Sequence, residues 1–149
     1  MISDLRKKLN RQKSRKVYEQ LITDVRYAKL LDSIPKYDFS ISPTSEFIEF
    51  DHNSINAALD FVCSFTLESK ISSDKFYVSF SSTEISENYW IEINDFTRSF
   101  IEKATNYLTS LEYIIIDSRF KPILLFLEEE YTYRVYIKNL PKILNIKEQ

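Results

Sequence analysis

Histidine occurs once in this chain, as His52, directly after Asp51 and eleven residues before the single cysteine, Cys63. A neighbouring base can convert a thiol into the thiolate nucleophile, so the two residues have the types that Cys-His catalysis needs. The pattern around Cys63, however, is helical and places it beside an apolar face, where free cysteine acts as a small hydrophobe. No glycine-rich oxyanion loop accompanies it, and the structural role is the better reading. A second candidate is built from carboxylates. Asp117 ends one predicted strand and Glu128 ends the next, a layout seen in metal-dependent nucleases. Such sites place Glu-x-Lys on the second strand so that the lysine can assist a water, whereas here Glu128, Glu129 and Glu130 run into Tyr131. Three glutamates in a turn read as a solvated loop that guards a sheet edge. The expectation is a chain with no catalytic residues, no cofactor and no metal.

Composition sharpens that expectation. The 149 residues contain no glycine at all, where average usage would give about ten. Phosphate-binding loops of the Walker type, dinucleotide fingerprints and nucleophile elbows each need glycine, because a Cβ would clash where the backbone turns sharply or touches a phosphate. All three are excluded. One cysteine cannot form an internal disulfide, which fits a reducing compartment. The longest uninterrupted apolar run covers only residues 123–127, and the N-terminus lacks an apolar signal core, so the chain is expected to be cytoplasmic without a membrane partner.

Charge is unevenly spread. Residues 1–16 carry Arg6, Lys7, Lys8, Arg11, Lys13, Arg15 and Lys16 against Asp4 alone, a balance of +6, while the remaining 13 basic and 21 acidic residues give −8. Seven cations on a helix are suited to phosphates, which makes nucleic acid one candidate partner. A net charge of −2 and an isoelectric point near 5.5 weigh against nucleic-acid binding as the main role. Aromatic residues are abundant, with ten tyrosines, eleven phenylalanines and one tryptophan. Tyrosine and tryptophan at a surface give large contact area at little entropic cost. Two groupings set them beside acids and would suit a basic partner. One is Tyr89 and Trp90 near Glu84 and Glu87; the other is Tyr131 and Tyr133 beside Glu128, Glu129 and Glu130. Tyr77 and Tyr136, on the opposite phase of their strands from the core positions, join them as surface candidates.

The elements that position these groups follow from periodicity. Residues 3–33 contain no proline and read as one long helix, with Val17, Leu21, Ile22, Val25 and Ala28 facing a core and a first half that projects or frays. Short strands are expected at 36–41 and 46–50, with Phe39, Ile41, Phe47 and Phe50 buried. A second helix follows Asn53 or Ser54 to about residue 68, with Ala58, Leu59 and Val62 on its inner face. Residues 75–82 alternate as a half-buried strand, with 89–93 as its hairpin partner. Asn94 and Asp95 are placed to cap a third helix carrying Phe96, Phe100, Ile101, Ala104, Leu108 and Leu111. Strands at 112–117, 123–127 and 131–137 then form an antiparallel meander, the first two central because they are apolar on both faces. The predicted fold is therefore a single α+β domain over 1–149: a long N-terminal helix and two further helices packed on a mainly antiparallel sheet that ends in a three-stranded meander.

The stretch YIIIDSRFKPILLFLEEEYTYRVY, residues 113–136, resembles the meanders of small bacterial immunity proteins. Those proteins protect a cell from polymorphic or contact-dependent toxins, many of them nucleases. The resemblance is one of style, a short acidic chain with tyrosine-rich hairpins, and it transfers no residue roles. It implies a non-catalytic inhibitor that occludes a toxin's active site. The alternative is a nucleic-acid-associated or phage-encoded regulatory protein acting through residues 6–16. A third, an unrecognised metal-dependent hydrolase, would depend on Asp117.

Overall fold

The computed structural model describes residues 2–25, 27–31, 44–69, 75–85, 89–138 and 140. Helix α1 (Ile2–Ile22) opens the chain. The sequence pattern carries this helix on to residue 33, but it ends at Ile22, about three turns earlier. Thr23 Oγ1 donates to the Glu19 carbonyl at 2.9 Å, and Asp24 (φ 68°) and Tyr27 (φ 59°) are left-handed. In a chain without glycine, aspartate is one of the few residues that takes this conformation at modest cost. Val25 and Ala28 therefore leave the helix, and strand β1 (Lys29–Leu31) follows. The predicted strand at 36–41, with Phe39 and Ile41, lies outside the described residues.

Strand β2 (Glu46–Asp51) leads through a single 3₁₀ turn, His52–Ser54, into helix α2 (Ile55–Ser69). Strands β3 (Phe76–Ser81) and β4 (Trp90–Ile93) pair antiparallel, as their alternation predicts. Helix α3 (Arg98–Tyr107) is capped by Thr97, whose side chain accepts the Phe100 N–H, so the cap lies two residues beyond the expected Asp95. The meander is β5 (Glu112–Asp117), β6 (Pro122–Glu128) and β7 (Thr132–Lys138). All seven strands form one sheet in the order β1-β4-β3-β5-β6-β7-β2, every described pair antiparallel. The chain is α+β, with the doubly apolar β5 at the centre.

All three helices lie on one face. Tyr18 and Leu21 from α1, Ala58, Leu59 and Val62 from α2, and Phe100, Ile101 and Ala104 from α3 share one core with Val78, Phe80, Tyr113, Ile115, Leu124 and Phe126 of the sheet. The opposite face carries its own buried cluster: Tyr77, Trp90, Ile114, Ile116, Leu125, Leu127 and Tyr136, with Leu31 and Leu140 packed against it. That second cluster corrects two expectations. Strand β3 is buried on both faces, and Tyr77 and Tyr136 are core residues, not surface ones. Phe47 departs the other way, being 42% exposed on the edge strand β2, where its ring contacts Tyr136 at 5.1 Å and lies under the Arg134 guanidinium at 4.6 Å.

One contact explains how α1 is held. Among the described residues strand β4 pairs with β3 from Phe76 to Val78, and no strand partner stands beside Phe80 on that side. The Tyr18 hydroxyl fills the gap, accepting the Phe80 N–H at 3.1 Å and donating to the Phe80 carbonyl at 2.9 Å. One side chain thereby replaces a missing rung of the ladder, satisfying two buried backbone groups.

Candidate functional site

Antiparallel pairing gathers acids at one end of the sheet. The end of β6 lies beside the start of β5 and the start of β7, and the end of β2 lies beside the start of β7, where Asp51 pairs with Thr132. Asp51, Glu112, Glu128, Glu129 and Glu130 therefore share a rim. Glu112, on β5, is a member that the sequence pattern did not single out. It becomes visible once the meander is drawn, because the first residue of β5 must meet the last of β6. Burial raises the Glu112 carboxyl above its ordinary value, with Glu129 and Glu128 adding to the effect, the signature of like charges held together. Burial and then Glu128 likewise raise the Tyr133 hydroxyl.

The hairpin that carries this rim is braced from behind. His52 donates its backbone N–H to the Tyr131 carbonyl at 3.2 Å, and its Nε2 lies 2.9 Å from the Glu129 carbonyl. A carbonyl only accepts, so Nε2 carries the hydrogen. The imidazole also lies 4.7 Å from the Tyr133 ring. Within the turn Glu129 N–H donates to the Thr132 carbonyl at 2.8 Å, and Glu128 accepts the Leu111 N–H at 3.3 Å. The backbone is thus fixed while the tip faces water: Tyr131 is 74% exposed, and among the described residues no hydrogen bond or ion pair engages the side chains of Glu129 and Glu130.

The expected partner-binding residues divide by place. Glu128, Glu129, Glu130, Tyr131 and Tyr133 are brought together at the hairpin. Glu84 stands at the same end of the sheet, just past β3, but its carboxylate accepts the Thr109 N–H at 3.0 and 3.1 Å and the hydroxyls of Thr109 and Ser82. Burial opposes ionisation there, yet those donors outweigh it and hold the carboxyl at about 2. Tyr89 and Trp90 are not at the surface. Tyr89 joins the helix-side core with its hydroxyl 3.4 Å from the Arg11 carbonyl, and Trp90 is buried in the opposite cluster. Glu87 lies outside the described residues.

The carboxylate pair is not brought together. Asp117 and Glu128 stand at opposite ends of the β5–β6 ladder, and Asp117 Oδ1 is occupied by the backbone N–H groups of Arg119 and Lys121, each at 2.9 Å. Among the described residues no group of three or more His, Cys, Asp or Glu side chains is placed to hold a metal ion. Burial pushes the Cys63 thiol up, with smaller effects from Arg98, Asp60 and Glu102, while the His52 Nε2 is engaged by the Glu129 carbonyl.

The cations of residues 6–16 lie on the exposed surface of α1. Arg15 pairs with Glu19 at 3.2 Å, and Asp4, Lys7, Lys8 and Arg11 line a depression of about 300 Å³. Among the described residues no helix is long and apolar enough to cross a membrane. No protein-family model matches the chain, and no curated protein or solved structure matches it significantly.

Proposed function

We propose that this chain is a non-catalytic binding protein of the immunity type, which neutralises a toxin by placing the β6–β7 hairpin end over the toxin's basic active site. The observation that carries this reading is the rim itself: a braced turn presenting Glu129, Glu130 and a largely exposed Tyr131, with Glu112, Glu128 and Asp51 behind them. A rigid turn loses little entropy on binding, and an exposed tyrosine flanked by carboxylates matches a cationic cleft built to hold phosphates. Like charges crowded on the free protein also favour the complex, because an incoming cation relieves their repulsion.

The test is capture of the partner from native lysate, followed by assay of the purified toxin with increasing amounts of this chain. Inhibition should be complete at one equivalent, and E129K/E130K should abolish it while leaving the unfolding midpoint unchanged. Full inhibition by the charge-reversed protein would remove the hairpin from the interface. A nucleic-acid role has one observation in its favour, the exposed cations of α1. Its test should truncate no further than residue 9, since Ser14 is fully buried and its removal would disturb the core.

A further inference from the structure

The first half of α1 has an order that the fold does not require. Ser14 and Tyr18 are fully buried and define the side of the helix that faces the sheet. Leu5 precedes Ser14, and Leu9 precedes Tyr18, by nine residues each, or two and a half turns at 3.6 residues per turn. Both leucines therefore point directly away from the protein body, and they are 61% and 48% exposed. Lys13 and Lys16 follow Leu9 by four and seven residues and share its outward face, while Arg6 and Lys8 flank Leu5 on either side. All four cations are exposed. α1 thus carries two apolar stripes on opposite sides: one seats it on the sheet, and the other, exposed at Leu5 and Leu9, is rimmed by positive charge.

We propose that this outward face docks on a membrane surface rich in anionic phospholipid headgroups. Cations on such a helix meet lipid phosphates while apolar side chains between them enter the acyl boundary, which is the division of labour at a lipid surface. Two other occupants fit less well. A second copy of the helix would bring like charges together along the whole face. A nucleic-acid duplex would use the cations but leave both leucines in water. The association is peripheral, and it is independent of the hairpin, so either assignment can fail without the other.

The experiment is co-sedimentation of the full chain with vesicles of phosphatidylcholine alone and of phosphatidylcholine containing one third phosphatidylglycerol. Binding is expected only to the mixed vesicles. Leu5→Ser/Leu9→Ser should lower the partition coefficient by about tenfold or more through lost apolar burial, and Lys13→Glu/Lys16→Glu should do the same by repulsion from the anionic surface. Both variants change exposed positions, so their unfolding midpoints should match the parent and confirm intact folds. Failure to bind the mixed vesicles, or binding unchanged by Leu5→Ser/Leu9→Ser, overturns the proposal. So does a labelled DNA duplex binding the chain with an affinity that the leucine substitutions leave untouched while Lys13→Glu/Lys16→Glu abolishes it.

Discussion

Two buried tyrosines make opposite demands on the core, and removing one oxygen from each should change stability in opposite directions. The Tyr18 hydroxyl satisfies both polar groups of Phe80, at 3.1 and 2.9 Å. Tyr18→Phe leaves a buried N–H and a buried C=O without partners. At about 1–3 kcal/mol for each orphaned group, with partial relaxation, the cost should be about 3 kcal/mol. For a chain of this size that lowers the melting temperature by roughly 6–12 °C. The Tyr113 hydroxyl is equally buried but among the described residues has no hydrogen-bond partner, although its ring stacks on Phe126 at 4.9 Å. Burial pushes this hydroxyl far above its usual range, with a smaller contribution from Cys63. Tyr113→Phe removes an unpaid desolvation penalty and leaves a void the size of one oxygen, so it should stabilise by about 1 kcal/mol. Urea unfolding of the two variants and the parent, followed by tyrosine fluorescence and circular dichroism, measures both effects. If Tyr113→Phe were as destabilising as Tyr18→Phe, the difference in hydrogen bonding would not govern this core.

Three further substitutions test the remaining supports. Arg98 ties α3 to α2 through the Asn56 carbonyl at 3.2 Å, the Asn56 side chain at 2.7 Å and the Asp60 carboxylate, and Arg98→Ala should cost about 1–2 kcal/mol in thermal unfolding. Glu84 is held near 2, below the usual 4.5, so its contribution is complete above about pH 4.5 and is lost as pH falls toward 2. Glu84→Ala should therefore cost about 1 kcal/mol at pH 7, and urea titrations should show the gap to the parent closing near pH 2. Glu112 is shifted the other way; its folded form favours the proton, and stability falls as pH rises through its titration. Glu112→Gln should be stabilising at pH 7 by up to about 1 kcal/mol, with no gain remaining below pH 4.5 by the same unfolding assay.

Where the sequence was legible, a clean period and a burial requirement agreed. Phe100, Ile101 and Ala104 specify α3, and the run from Ile114 to Ile116 beside Leu124, Leu125 and Phe126 specifies the centre of the sheet. The end of α1 was not legible, because Asp24 and Tyr27 adopt left-handed conformations without the glycine that usually announces them. Strand β1, only three residues long, has too little alternation to signal itself. Tyr77, Trp90 and Tyr136 read as surface residues because alternation in their strands, or acids nearby in sequence, suggest a solvent face, whereas the sheet buries both faces. Tyr18 was missed for a related reason, as its value lies in a hydroxyl matched to a gap between strands 62 residues away in sequence. At the hairpin, Glu128, Glu129, Glu130 and Tyr131 were visible as a local cluster. Glu112 and His52 join them only through pairing across the sheet, which no local window contains.

Partner recognition through the charged turn is tested most directly by calorimetry of the captured toxin with the parent chain and with E129K/E130K at low and physiological salt. Two charge reversals against a cationic cleft should weaken Kd by about a hundredfold or more, with most of the parent's salt dependence removed. Equal affinities for the two proteins at both salt concentrations would contradict the proposed hairpin interface.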